Sequence, residues 1–231
     1  EGAERLWKFH IDHGRWIHNG LPLRWTLDEY SPNSLLTGTW DEATKLAQAE
    51  ARKDEWLSYE IADIVEESSV IKSFYLKAKD HQALKFLPGQ FLTIKANING
   101  KDLIRNYSLS SAPGDALYRI SVKREKSNDP QLPDGVFSNH IHQLCKVGDT
   151  LLAKAPRGGF TFDEDSPRPA VLLAGGVGIT PMVSMARHAL NELVRTRSGE
   201  MLTFIGAAKD QHQRAFFDEF NDLEKASSGH I

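Results

Sequence analysis

Cysteine is nearly missing from this chain: Cys145 is the single one among 231 residues. One thiol forms no internal disulfide, no four-cysteine zinc site and no iron–sulfur cluster. No apolar run reaches the ~18 to 20 residues of a membrane-spanning helix, and no signal-peptide pattern opens the chain. Charge of one sign is also missing. The 28 basic and 31 acidic side chains leave a formal net charge of -3, which provides no general attraction to nucleic acid or to an anionic membrane. The first residue is Glu1 rather than Met, which reads as a processed or excised piece, and the cytoplasm is the default location.

What remains is the composition of an ordinary globular protein, 40% hydrophobic and 26% charged, long enough for one large domain or two small ones. Residues 1–55 stand apart. They carry Trp7, Trp16, Trp25 and Trp40 with His10, His13 and His18, broken by Pro22 and Pro32. Asp41 to Glu55 reads as a helix of strong helix formers, capped at Thr39 or Asp41. Its apolar positions are mostly alanine, so the segment is expected to pack lightly or to link two units. The three histidines fit no known metal-ligand spacing and read as solvated or capping residues.

From Trp56 short alternating runs take over: Tyr59 to Val65, Val70 to Ala78, Gln90 to Ala96, Asn106 to Ser110, Tyr118 to Arg124 and Thr150 to Ala153. Pro88-Gly89, Asn99-Gly100, Pro113-Gly114 and Val147-Gly148-Asp149 are turn signals between them. The pattern implies an antiparallel barrel or sandwich. From Pro169 it changes again. Ala170 to Ala174 is a continuous apolar run between a proline and two glycines, as in a buried parallel strand. A helix is expected from about Pro181, capped by Thr180, with Ile179, Met182, Val183, Ala186, Ala189, Leu190 and Leu193 on one face. Met201 to Ile205 reads as a second buried strand and Ala215 to Lys225 as a second helix. Strand–helix–strand–helix is the opening of a doubly wound sheet.

Three segments could carry chemistry. Arg105-Asn106-Tyr107-Ser108 ends a strand and combines a phosphate-binding guanidinium, a flat aromatic face and a hydroxyl; its plain reading is a strand end with a core aromatic. Gly135-Val136-Phe137-Ser138 precedes one or two helical turns, where backbone amides can receive a phosphate; its plain reading is a serine cap. Gly175-Gly176-Val177-Gly178-Ile179-Thr180-Pro181 joins a strand to a helix, the place where dinucleotide phosphates bind in open α/β sheets. It lacks the GxGxxG spacing and any Walker lysine, and its plain reading is tight packing. His140 and His142 diverge on a helix, and Cys145 reads as a small buried hydrophobe.

Their order carries a resemblance. Pro88-Gly89-Gln90-Phe91, RNYSLS at 105–110, ISVKRE at 120–125, GVFS at 135–138, APRGGF at 155–160 and LLAGGVGITPM at 172–182 follow one another as in the ferredoxin–NADP reductase superfamily. The pattern is most similar to the reductase modules of flavohaemoglobins and of oxygenase electron-transfer chains, over about three quarters of the chain.

The resemblance implies a two-domain fold: an antiparallel Greek-key β-barrel for flavin over 56–166, then the first part of a doubly wound nucleotide-binding domain over 167–231, with 1–55 as an extension. It implies FAD as cofactor, NADH or NADPH as co-substrate, and an electron acceptor, haem or [2Fe–2S], on another domain or protein. Arg105 should bind flavin phosphate. Tyr107 should lie against the isoalloxazine and Ser108 near its N5, the pair at the reacting centre. Backbone at Val122 and Lys123 should flank the flavin. Gly135, Val136 and Ser138 should meet its pyrophosphate. Gly175, Gly176, Gly178 and Thr180 should line the dinucleotide site. The family's later Cys-Gly-Pro motif and terminal aromatic are not in the sequence, so the nucleotide domain is expected to be incomplete. FMN in place of FAD, a truncated non-catalytic flavin-binding or interaction piece, and a flavin-free barrel stand as alternatives. The residues expected to choose between NADH and NADPH are Lys209, Asp210 and Arg214, with a lean to NADH.

Overall fold

The computed structural model describes residues 54–127, 129, 131–162, 169–196 and 201–231, together with three short strands in the first 53 residues. The chain divides into two compact units, Glu1–Lys53 and Asp54–Ile231. In the first, β1 (Leu6–Trp7), β2 (Arg24–Leu27) and β3 (Ser34–Thr37) form an antiparallel sheet in the order β1-β3-β2, which the sequence did not lead one to expect. Residues 41–53 of the expected helix, its caps Thr39 and Asp41, and His10, His13 and His18 lie outside the described residues.

The second unit starts with β4 (Leu57–Glu66), β5 (Ile71–Ala78), β6 (Phe91–Ile98), β7 (Lys101–Ser108) and β8 (Tyr118–Lys123). After helix α1 (Val136–Leu144) comes β9 (Thr150–Ala153). These six strands pair antiparallel in the order β7-β6-β9-β4-β5-β8. Alternation puts Leu57, Tyr59, Ile61, Phe74, Leu76, Leu92, Ile94, Ile120 and Val122 in one core, capped by Phe137 and Ile141 of α1. Asn99 (φ 54) and Gly100 (φ +79) make the tight turn between β6 and β7, and β7 begins at Lys101 rather than at Asn106.

The expected barrel does not close as a continuous ladder. Beyond Ser108 the chain meets β8 at one bridge, Leu109↔Ile120. Side chains then take over from the ladder: the Arg119 N–H donates to Ser111 Oγ (3.0 Å) and Arg119 Nη2 to the Ser110 carbonyl (2.6 Å).

The α/β half consists of β10 (Ala170–Gly175), the 3₁₀ turn Gly176–Gly178, α2 (Ile179–Thr196), β11 (Leu202–Ala207) and α3 (Phe217–Ala226). β10 and β11 pair in parallel. Leu172 and Leu202 pack on Met182, Met185, Ala186 and Leu223, on the face that α2 and α3 cover. The two runs are not buried on both sides as the sequence implied: Val171, Leu173 and Ile205 are 58%, 65% and 51% exposed. An apolar run identifies a strand but not the number of its covered faces. A further cluster of Ile71, Ile179, Val183, Ala215 and Phe216 joins β5 to this half. Helix α2 begins two residues before Pro181, and Thr180 lies inside it, its hydroxyl donating back to the Val177 carbonyl (3.0 Å) rather than capping. Among the described residues no helix is long and apolar enough to cross a membrane, and no cluster of metal-ligating side chains occurs.

Candidate functional site

A cleft of about 430 Å³ opens where the sheet, α1 and the glycine turn meet. Its walls contain Arg105, Tyr107, Ser108, Lys123, Gly135, Val136, Ser138, Gly178 and Thr180. Segments more than seventy residues apart are thus brought to one place, in a volume typical of small-molecule sites.

The strand-end wall comes from β7. Arg105 is exposed, and its Nη1 donates to the Ile104 carbonyl (2.7 Å). Tyr107 is half-buried, its ring tilted against Phe137 of α1 at 5.8 Å between centroids. Burial pushes the Tyr107 hydroxyl up to about 12, against the lowering effect of Arg105, so the ring is an uncharged flat face at neutral pH.

The second wall is the start of α1. Gly135 is the N-cap, with φ -60, and it makes no side-chain cap. A Cβ there would come within 2.8 Å of both Glu125 Cβ and Ser138 Oγ. Glycine is therefore needed for space, since the 125 loop crosses directly over it: the Gly135 N–H donates to the Glu125 carbonyl (3.0 Å). The Ser138 hydroxyl is committed inside this crossing, accepting from the Glu125 N–H and donating to the Gly135 carbonyl (3.1 Å each). The helix's own ladder begins with the Asn139 N–H, bonded to the Gly135 carbonyl. The amides of Val136, Phe137 and Ser138 have no partner within the helix and provide its positive end.

The third wall is the turn before α2. Gly176 needs glycine for its backbone (φ +53), whereas Gly178 has neither a positive φ nor any atom within 4 Å of an added Cβ. Gly176 lines a neighbouring cleft of about 360 Å³ along β11, with Thr203, Phe204, Ala207 and Arg214. Gly175 and Val122 are outside both linings. The Val122 side chain is in the core, and its carbonyl faces His142 Nε2 at 2.6 Å.

Sequence reasoning gave no role of their own to Asn106, Phe137, Val177 and Pro181 inside its three segments, or to Ser121 and Glu125 outside them; these six complete the cleft lining. Period two on β8 places Ser121 on the face of Lys123. It is 2% exposed and bonds Ser73 Oγ and Ser110 Oγ at 2.7 Å each, a hydroxyl ladder beneath the cleft. Lys123 pairs with Glu125 (2.9 Å) on the wall.

These parts fit a flavin dinucleotide: a guanidinium and helix-start amides for two phosphates, an uncharged aromatic face for a ring system, and an unfilled approach at Gly178 for a second dinucleotide. Two family models match the same stretches. Residues 58–162 match the oxidoreductase FAD-binding domain, and residues 169–231 match the ferric reductase NAD binding domain. The flavohem-like FAD/NAD binding domain of nitric oxide dioxygenase from Vibrio cholerae superposes with a TM-score of 0.67 at 32% identity, covering 74% of this chain and 70% of that one.

The chain belongs to the ferredoxin–NADP reductase superfamily.

A flavohemoprotein of Bacillus cereus is 41% identical over 189 residues, 79% of this chain and 46% of that protein. Phthalate dioxygenase reductase, described as a modular structure for electron transfer from pyridine nucleotides to [2Fe–2S], aligns at 31% identity and a TM-score of 0.59, covering 73% of this chain and 48% of its own. The chain spans about half the length of the curated relatives it matches, or less. It carries FAD-binding and NAD-binding domains of oxidoreductase type.

Proposed function

We propose that this chain is the reductase module of an electron-transfer flavoprotein, taking electrons from NAD(P)H through FAD to a haem or [2Fe–2S] acceptor on another domain or protein. The observation that carries the reading is the convergence of the β7 end, the α1 start and the Gly176–Gly178 turn on one cleft. FAD, when bound, takes two electrons from a nicotinamide and releases them singly. The chain's own residues bind and orient. Arg105 holds the flavin phosphate by a charge-assisted hydrogen bond. Tyr107 offers its flat face to the ring system, and Ser108 places a hydroxyl at the reacting edge. The backbone of Val122 and Lys123 flanks the ring from β8. Gly135 permits the close turn, and the Val136–Ser138 amides receive the pyrophosphate. That second phosphate site favours FAD over FMN. Gly178 and Thr180, with the α2 start behind them, receive the nicotinamide dinucleotide, with Gly175 and Gly176 shaping the turn.

NADH is the proposed donor. Both Asp210 carboxylate oxygens are engaged within their own turn, by His212 N, Gln213 N and Gln213 Nε2, and the Arg214 guanidinium lies 3.9 Å over the Phe217 ring. The Asp210 carboxylate just beyond β11 is held below the usual carboxylate range by the amides of its own turn, and an anion there repels a 2′-phosphate, so NADPH serves as the comparison. A cytoplasmic location belongs to the same proposal, since a lone half-buried thiol suits a reducing compartment.

The test is to incubate the protein with FAD and FMN, remove excess, release the bound flavin and weigh it. FAD alone, at one per chain, is expected. A protein that takes up neither flavin contradicts the proposal.

A further inference from the structure

Behind the cleft, the sheet and the α/β half are held together by buried charge. Arg119, on the outer face of β8, is 4% exposed. Its Nη1 donates to Glu219 Oε2 (2.9 Å) and its Nη2 to Glu219 Oε1 (3.1 Å), a two-pronged pair with α3. Its Nε and Nη2 also donate to Ser110 Oγ (3.1 Å) and the Ser110 carbonyl (2.6 Å). Glu219 accepts in addition from Arg187 Nη1 on α2 (2.9 Å), and Arg187 Nη2 returns to Asp115 Oδ2 (3.1 Å) in the loop before β8. One turn earlier on α2, Ser184 donates to the Ser111 carbonyl (2.7 Å). These bonds form a closed circuit: β8 to α3, α3 to α2, α2 back to the sheet half.

A buried ion pair is a poor stabiliser compared with apolar packing of the same volume. Its particular property is direction, because a guanidinium fork and a carboxylate fix distance and angle together. Two of the three elements that carry the circuit, β8 and α2, also build the cleft. On β8, Ser121 and Lys123 share the face of Arg119 and line the cleft; on α2, Thr180 and Pro181 line it and Ser184 and Arg187 anchor. A helix rises ~1.5 Å per residue, so Arg187 lies about 10 Å along a rigid rod from Thr180.

We propose that Arg119, Glu219, Arg187 and Asp115 are positioning residues that set the separation of the Gly176–Gly178 turn from the Tyr107–Ser108 edge, and with it the rate of electron transfer across the cleft. The proposal rests on the flavin–nicotinamide reading of the cleft. A misplacement near 1 Å can slow such a step about a hundredfold.

The test uses the FAD-loaded protein with Arg187→Met and Asp115→Asn. Both change the half-exposed end of the circuit and leave the two-pronged Arg119–Glu219 pair whole, so the fold should persist. FAD content, melting temperature, the NADH dependence of flavin reduction and the flavin difference spectrum with NAD⁺ are measured. Expected are unchanged FAD content, a limiting rate at least about tenfold lower, half-saturation within about threefold of the parent, and an altered difference spectrum. Arg187→Lys, which keeps the charge, should recover most of the rate. A purely stabilising role would lower the melting temperature and leave rate and spectrum as in the parent; that result overturns the proposal. If the parent protein binds no FAD, or NADH leaves its flavin oxidised, the reading of the cleft fails and the proposal with it.

Discussion

Replacing Gly178 by alanine is expected to separate binding from folding, and replacing Gly176 to join them. The two glycines are neighbours in one 3₁₀ turn, and the structure gives them different reasons to be glycine. At Gly176 the backbone has φ +53, a left-handed conformation that costs an L side chain about 1–2 kcal/mol. For a unit of this size, each kcal/mol lowers the melting temperature by about 2–4 °C, so Gly176→Ala should lower it by about 2–8 °C. At Gly178 an added Cβ meets nothing within 4 Å and φ is not positive. Alanine there restricts the unfolded chain and should stabilise by about 0.4–1 kcal/mol, a rise of about 1–4 °C. On the proposed reading, the space it fills is the space the dinucleotide takes. Removing one charge-assisted amide hydrogen bond costs about 1.5–3 kcal/mol, or roughly 10- to 150-fold in affinity. Thermal melts without dinucleotide, and titration of FAD-loaded protein with NAD⁺ followed through the flavin spectrum, measure the two effects. Wild-type affinity in Gly178→Ala would refute the placement of the dinucleotide phosphate at this turn. A melting temperature lowered as far as in Gly176→Ala would refute the steric argument.

Arg105→Ala should weaken FAD retention by roughly 10- to 150-fold, because the proposed charge-assisted hydrogen bond to the flavin phosphate is removed. The melting temperature of the flavin-free protein should change little, since the side chain is exposed; equilibrium dialysis measures the first effect and a thermal melt the second. Gly135→Ala should destabilise by about 1–3 kcal/mol through overpacking, since its Cβ would approach Glu125 and Ser138 to 2.8 Å, and it should loosen FAD as well; a denaturant titration with flavin fluorescence reads both. Burial holds the His142 imidazole below the ordinary histidine range, against the raising effect of the Val122 carbonyl, with Lys72 and Arg124 adding to the lowering. The folded chain thus resists a proton that the unfolded chain accepts, so stability is full above pH ~6.5 and falls as pH drops from there towards the folded value. Melting temperatures between pH 7.5 and 5 should show that loss in the parent and a flatter profile in His142→Gln.

Local signals in the sequence are strong where one segment carries its own chemistry. Arg105 to Ser108, Gly135 to Ser138 and the turn before Pro181 each show their residue types at short spacing, and each lines the cleft. Relationships set by the fold are not legible in this way. Arg119 and Glu219 are one hundred residues apart, and nothing local to either announces the pair. Ser121 reads as an ordinary strand serine until the register Ser73↔Ser121 brings two hydroxyls together. The start of β7 is hidden because Lys101 and Asp102 are polar and exposed, so alternation is silent there, although Asn99-Gly100 marks the turn. The apolar runs of β10 and β11 locate two strands correctly and overstate their burial.

Whether the cleft passes electrons from a nicotinamide to a flavin is decided most directly by anaerobic addition of NADH to the FAD-loaded protein, with the flavin absorbance band followed over time. The band is expected to bleach at a rate that saturates with NADH and falls sharply in Gly178→Ala. A bound FAD that stays oxidised at every NADH concentration, or that is reduced equally fast in Gly178→Ala, would contradict that reading.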